Sequence, residues 1–372
     1  MSVYPLILQS NGTLMLIIDA HLDLSWNALQ WNRDLLQSVY TIRTQEVGIV
    51  GKGRTLNTVA LPEMKQGRIV ICLATLLARS TGRLIANIDY GSATQANGVA
   101  HGQLAYYEAL VAEGYIRIIT NREVLDSHIA EWNRWESVGN SNPENAPPLG
   151  FIISMESADP ILRPDDLERW YQAGLRFLGP AHYGQGRYVG GTGVETGFTP
   201  IGLELLDAMQ RVGMTLDVTH LSDQAFWQAI ERYEGLVIAS HNNCRALVPH
   251  QRQFSDEQLN VIIERGGVIG VAFDAWMLKT GWVRGVSTNE DVTLSTIVDH
   301  IDHICQLAGN VNHVGIGSDL DGGFGREQSP VDLDTIADLQ KFPALLAVRG
   351  YSQSDIEAVM HGNWLRVFRQ ML

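Results

Sequence analysis

The chain has 372 residues, 45% apolar and 18% charged, which is ample material for a core and excludes a disordered polypeptide. Its 27 basic residues against 41 acidic ones leave a net charge of −14, so neither nucleic acid nor an anionic membrane surface is expected as a partner. No apolar run reaches the roughly 18 residues of a spanning helix, and no membrane association is expected.

Three cysteines, Cys72, Cys244 and Cys305, cannot close a disulfide framework. The amino-terminal stretch lacks the basic start and small-residue cleavage site of a secretory signal. Both features lead us to expect a cytoplasmic protein. Asn11-Gly12-Thr13 matches a glycosylation sequon and is read as a chance match. The length alone allows two or three small domains or one large barrel with insertions.

In chain order, short β-branched apolar runs cover Leu14–Ala20, Arg68–Ala74, Phe151–Met155, Leu175–Gly179, Met214–Thr219, Leu236–Ser240, Gly267–Phe273 and His313–Ser318. Near-continuous apolar runs of this length suit strands covered on both faces, as in a parallel sheet. Between the second and third runs the sequence predicts a helix around Gly102–Glu113, an extra strand Ile116–Ile119 and the turn-rich SVGNSNPENAPPLG. Later, Thr199-Pro200 opens a helix over Ile201–Val212, and Ser222 precedes another at Ala225–Tyr233. Ser255 and Gln258 form a capping box before Leu259–Arg265. Thr293–Leu307 repeats apolar residues at helical spacing. Eight strands with intervening helices predict an α/β fold, a (β/α)₈ TIM barrel over residues 1–372 with an excursion near 85–150. The alternative, a doubly wound open sheet, requires a phosphate-binding glycine fingerprint near the start. None is present.

Most of these runs end on a side chain able to bind metal or move a proton. The first is followed by His21 and Asp23, which point the same way in extended backbone. Glu156 follows the third run, His182 the fourth, His220 the fifth, His241 the sixth and Asp319 the eighth. Taken singly each has a bland explanation: a capped turn for His21 and Asp23, a helix cap for Glu156, a satisfied core position for a histidine. Placement of six such groups at six strand ends is a stronger signal, because barrel sites form where strand carboxyl ends converge. Two divalent ions about 3.5–4 Å apart can hold a bridging hydroxide and polarise a carbonyl under attack. One would take His21 and Asp23, the other His220 and His241, with Glu156 bridging. Imidazole with carboxylate favours two zinc ions, with manganese or cobalt as substitutes. Asp319 is then free to accept a proton from the nucleophile and pass it to the leaving amine. Asp319-Leu320-Asp321-Gly322 lacks the remaining positions of a calcium loop.

The stretches IDAHLDL, ISMESADP, LRFLGPAHY, LDVTHLSD, SHNNCRALVPHQRQFSDEQL, VGIGSDLDG and HGNWLRV span nearly the whole chain. In these the sequence resembles the membrane (renal) dipeptidase family, the M19 metallopeptidases. The resemblance implies a metal-dependent hydrolase barrel and a dinuclear zinc site on His21, Asp23, Glu156, His220 and His241. It also implies that His182 stabilises the tetrahedral oxyanion, Arg252 binds the substrate's terminal carboxylate and Asp319 is the acid/base. The expected substrate is a dipeptide with a free carboxyl terminus, including D-residues there, and the expected assembly is a homodimer. From the residues alone, Arg252 has a guanidinium fork suited to a carboxylate, or a surface pairing with Asp256.

Two departures bear on specificity. Many relatives carry glycine after the bridging glutamate, where Ser157 stands here, and the stretch YGQGRYVGGTGVETGF after His182 differs from the family pattern, so we expect it to form a lid or pocket wall. Trp276 and Trp282 are read equally as mouth-lining or as barrel packing. These departures leave open a lactone, cyclic amide or other amidohydrolase-like substrate, for which Arg252 would have little use. A third reading, a binding protein on a retained scaffold, has no use for Asp319.

Overall fold

The computed structural model describes residues 14–139 and 142–372; the sequon falls outside them, as do two residues of the turn-rich stretch. Among the described residues nine parallel strands form the frame: β1 Ile17–Leu22, β2 Ile69–Leu77, β3 Ile116–Ile118, β4 Leu149–Glu156, β5 Leu175–Gly179, β6 Thr215–Asp217, β7 Val237–Ile238, β8 Ile269–Val271 and β9 Val314–Ile316. Hydrogen-bonded neighbours run β7-β6-β5-β4-β2-β1-β9-β8. The two ends meet through a parallel bridge between Ala239 and Ile269, flanked by Gly270 N–H donating to Ala239 O at 2.8 Å and Asn242 N–H to Gly270 O at 2.7 Å. The result is the nearly closed eight-stranded barrel that the alternating pattern predicts. β2 and β4 are buried along their whole length, as continuous apolar runs covered on both faces must be.

The ninth strand is the extra one. β3 pairs with Leu149–Phe151 of β4, on the edge where β5 takes Ile153–Glu156. β2 holds the opposite edge from Gly150 to Glu156. Strand boundaries differ from the sequence reading in two ways. β1 starts three residues later and runs on through His21, and β2 continues past Ala74 to Leu77. β6 to β9 are shorter than the apolar runs that encode them, because the residues beyond each strand bend away to present side chains at the barrel mouth. The helix placed around Gly102–Glu113 spans Ala93–Ala112, since Ser92 caps it by accepting from Gln95 N–H at 3.2 Å. The caps at Thr199, Ser222 and Ser255 form as their sequences specify, the last with its reciprocal Gln258 contact.

Close approach across the seam requires glycine. A Cβ on Gly270 or Gly317 would lie 1.9 or 1.8 Å from Ser240 O, against backbone that cannot withdraw. β7, β8 and β9 are thus drawn together immediately beneath His241 and Asp319.

Candidate metal centre

Every strand of the barrel delivers a side chain to one cavity of about 370 Å³ at the carboxyl ends of the strands, among them Asp23, Arg79, Glu156, His182, His220, His241, Arg252, Asp274 and Asp319. The sequence reading named seven of these nine; His21, the eighth residue it nominated, lies against the cluster. Glu156 is central. Its Oε1 lies 3.1 Å from His220 Nε2 and 3.4 Å from His241 Nε2, while its Oε2 lies 3.9 Å from His21 Nε2 and 3.6 Å from His182 Nε2. His21 Nε2 is also 3.8 Å from Asp23 Oδ2 and 3.8 Å from Asp319 Oδ1. Donor atoms of Glu156, His220 and His241 fall within 4.8 Å of one another, as do those of His21, Asp23 and Glu156, and those of His21, His241 and Asp319.

The surroundings aim these groups. Asp19 Oδ1 accepts from the backbone N–H of His21 at 3.2 Å and of Ser318 at 2.9 Å, tying β1 to the segment that carries Asp319. Asp217 does the same on the opposite side of the ring, accepting from Thr219 N–H and Ser240 N–H at 3.0 Å each. His220 and Asp319 take left-handed backbone, φ 68° and 56°, which swings their side chains inward off the strand ends. Nδ1 of His220 meets Thr192 Oγ1 at 2.8 Å and that of His241 meets Ser240 Oγ at 2.9 Å, leaving both Nε2 atoms for the centre.

A cation fits this donor set. His21 Nε2, Asp23 Oδ1 and Glu156 Oε1 are buried polar atoms with no hydrogen-bond partner, a costly arrangement unless a ligand completes it. Titration points the same way. Burial opposes a charged His21, yet the carboxylates of Glu156, Asp23 and Asp319 raise its pKa to about 10. Burial lifts Glu156 to about 8, and lifts Asp319 well above the usual carboxylate range with Asp23 and Glu156 beside it. The carboxylates gathered around His21 Nε2 thus favour a positive charge at that point. Burial, with arginines nearby, holds His182 and His220 well below the usual imidazole range, and burial with His21 beside it does so for His241, so each can be neutral.

Exposure separates the group. The side chains of His21, Asp23, Glu156, His220 and His241 are 2–8% exposed, against 13% for His182 and 16% for Asp319. His182 and Asp319, the residues expected to make the oxyanion contact and transfer the proton, are therefore the more open of the group to the cavity. Arg252 does not pair with Asp256, which bonds His303 at 2.7 Å. Its guanidinium is buried, bonded through Nη1 to Asn242 Oδ1 and through Nη2 to His241 O at 2.8 Å, and its Nε has no partner.

Two strand-end residues escaped the sequence reading. Arg79 follows β2, whose end was placed too early, and Asp274 follows β8. An apolar run continuing through Leu77-Ala78 to a lone arginine was the available signal for the first. Trp276 belongs with the second: its Nε1 donates to Asp274 Oδ2 at 2.7 Å, while Trp282 packs into the core. The stretch after His182 is a wall. Tyr188 and Val189 are buried and Thr192 backs His220. Asp321 serves structure, accepting from Thr58 and Val59 N–H.

A parallel barrel with a buried imidazole–carboxylate cluster at its mouth is the framework of a metal-dependent hydrolase. The family model described as membrane dipeptidase (peptidase family M19) matches residues 12–372, and the chain belongs to that family. Among curated relatives, an uncharacterised protein of the pqqA 5′ region of Klebsiella pneumoniae is 33% identical over 55% of this chain and 76% of its own length. Dipeptidase tcpJ of Claviceps purpurea is 29% identical over 55% of this chain, and dipeptidase 3 of Rattus norvegicus 31% identical over 47%. These two alignments span only 47% and 34% of the relatives' own lengths. Among solved structures, an M19 dipeptidase AC superposes with a TM-score of 0.73 at 24% identity, covering 96% of this chain and 99% of that one. A Rhodobacter sphaeroides metallopeptidase, solved with a phosphinate mimic of the dipeptide L-Ala-D-Ala, gives 0.74 at 22% identity, covering 97% and 100%.

Proposed function

We propose that this chain is a zinc-dependent dipeptidase that hydrolyses the single peptide bond of a dipeptide with a free carboxyl terminus. The observation that carries the reading is the division of Glu156: one oxygen faces His220 and His241, the other faces His21 beside Asp23. That division suits a pair of divalent ions, one on each side. When bound, the pair would supply Lewis-acid polarisation of the carbonyl and a water acidic enough to attack near neutral pH.

The chain's own residues do the rest. Arg252, with an unpartnered Nε at the cavity, holds the substrate's carboxylate and so places the scissile carbonyl over the cluster. His182 presents an N–H to the carbonyl oxygen as charge develops there. Asp319 accepts the proton of the attacking water, then donates it to the departing nitrogen as the C–N bond breaks, leaving two amino acids. The Rhodobacter sphaeroides protein's ligand supports including a D-residue at the C-terminal position among the first substrates tried.

A panel of dipeptides, their C-terminal amides, lactones and cyclic amides, assayed with metal-loaded and chelated protein, tests this. We expect chelator-sensitive turnover of free dipeptides. Arg252→Ala should lower kcat/KM roughly 10- to 100-fold on them and far less on the amides, from loss of a charge-assisted contact. Turnover of lactones or cyclic amides with dipeptides untouched would favour the amidohydrolase-like alternative.

A further inference from the structure

Four imidazoles crowd Glu156, and His182 differs from His220 and His241 in what lies behind it. His220 and His241 rest their Nδ1 atoms on hydroxyls, which can accept a proton as well as give one. His182 rests its Nδ1 on Arg79, with Nη1 2.7 Å away. A guanidinium has five donors and no acceptor, and it does not deprotonate in proteins. Nδ1 of His182 must therefore be the bare nitrogen that accepts, and the proton of the neutral ring must sit on Nε2, the atom 3.6 Å from Glu156 Oε2 and turned to the cavity. A nitrogen that carries a proton can donate to an oxyanion but offers no lone pair to a cation.

The arginine is itself held. Its Nη2 lies 3.4 Å from Asp89 Oδ2, and Nη1 also reaches Tyr183 O at 3.4 Å. Asp89 is buried and accepts further from Thr81 N–H at 2.8 Å and from the Thr81 hydroxyl. The backbone closes the arrangement: Arg79 N–H donates to Ile88 O at 2.8 Å and Tyr90 N–H to Arg79 O at 2.7 Å. Residues 80–88 thus fold back as a clasp on the end of β2, and that clasp fixes the guanidinium behind His182.

We propose that Arg79 is a positioning residue that locks His182 in its Nε2–H tautomer, making it the hydrogen-bond donor of the pocket and excluding it from the metal ligands. The assignment of a donor role to His182 is the one made above; the tautomer lock can be read independently of it.

The test combines spectroscopy with kinetics on the metal-loaded, full-length enzyme. Histidine is labelled with ¹⁵N, and the His182 signals are identified by their absence in His182→Ala. The wild type should show a protonated Nε2 and an unprotonated Nδ1 at His182. Arg79→Gln, whose amide can accept as well as donate, should mix the two tautomers, and Arg79→Lys, another donor-only side chain, should restore one. Kinetically, Arg79→Gln and Arg79→Met should lower kcat roughly 10- to 100-fold with KM within about twofold and metal content unchanged, and Arg79→Lys should recover most of the loss. A wild-type His182 protonated at Nδ1 overturns the inference. So does full kcat in Arg79→Met while His182→Ala is inactive, which leaves the proposed role of His182 standing. Full activity of His182→Ala overturns that role instead, and the nitrogen shifts then decide the tautomer lock alone.

Discussion

His128 offers a quantitative test of how the barrel is built. It lies on the helix Arg122–Ser137, fully buried, with Nε2 donating to Val70 O at 2.9 Å and Nδ1 accepting from Arg117 at 3.1 Å. Gly150 of β4 makes the room, since a Cβ there would come within 2.7 Å of the imidazole. Burial, aided by Arg117, lowers the His128 pKa from 6.5 to about 4. The folded value lies below the unfolded one, so between those two pH values the unfolded chain binds the extra proton. Stability is therefore present above pH 6.5 and is lost as pH falls toward 4. Integrating the linkage from pH 8 to pH 5 gives a loss of about 2 kcal/mol from this residue. His128→Gln can keep both hydrogen bonds and cannot titrate. Urea unfolding of wild type and variant at pH 8 and pH 5, in the same metal buffer, should show the wild type losing about 2 kcal/mol more than the variant over that span. His300, also lowered to about 4 by burial, is common to both and cancels in the difference. A gap between the two proteins that stays constant with pH would refute the reasoning.

Three further outcomes follow from the site. Asp319→Asn should retain metal, measured by elemental analysis, and lose turnover by roughly 100-fold or more, because the amide cannot take the proton; an unchanged rate removes Asp319 from that role. Ser157 adopts φ 67°, a conformation that costs a non-glycine residue about 1 kcal/mol, so Ser157→Gly should raise unfolding stability by about that amount or slightly less. A fall in stability would mean that the Ser157 hydroxyl, which accepts from Asp159 N–H at 3.4 Å, matters more than the strain. Without metal the carboxylates keep His21 protonated up to about pH 10 and burial keeps Glu156 protonated up to about 8. Metal uptake at pH 7 should then release roughly one proton or more per chain, read by calorimetry in buffers of different ionisation enthalpy; uptake with no net release would contradict the charge balance derived for the pocket.

The barrel and its donor set were legible because both are written in short range. Each barrel strand lies in a largely apolar run, and His21, Asp23, Glu156, His182, His220, His241 and Asp319 all follow such a run within a few residues. What could not be read is what depends on contacts between distant segments. Nothing local distinguishes Arg79 from any arginine after a strand; its meaning comes from His182, 103 residues away. Asp19 likewise reads as one more polar residue until Ser318, 299 residues on, donates to it. Arg252 had an acidic residue, Asp256, four positions on in sequence, and only the fold shows its guanidinium turned to Asn242 and His241 instead. The excess length of the last four runs has the same origin: apolar character persists where the backbone has already left the ladder.

The ring joins at one seam, between Ala239 and Ile269, and the donors are shared across it: His220, His241 and Arg252 come before the join, Asp274 and Asp319 after it. No contiguous fragment shorter than most of the polypeptide holds the full set. A nascent chain emerging in order would own its imidazoles long before its final carboxylate, so the complete cluster forms last, only once the circle shuts. An incomplete chain of this architecture cannot gather the whole set of side chains.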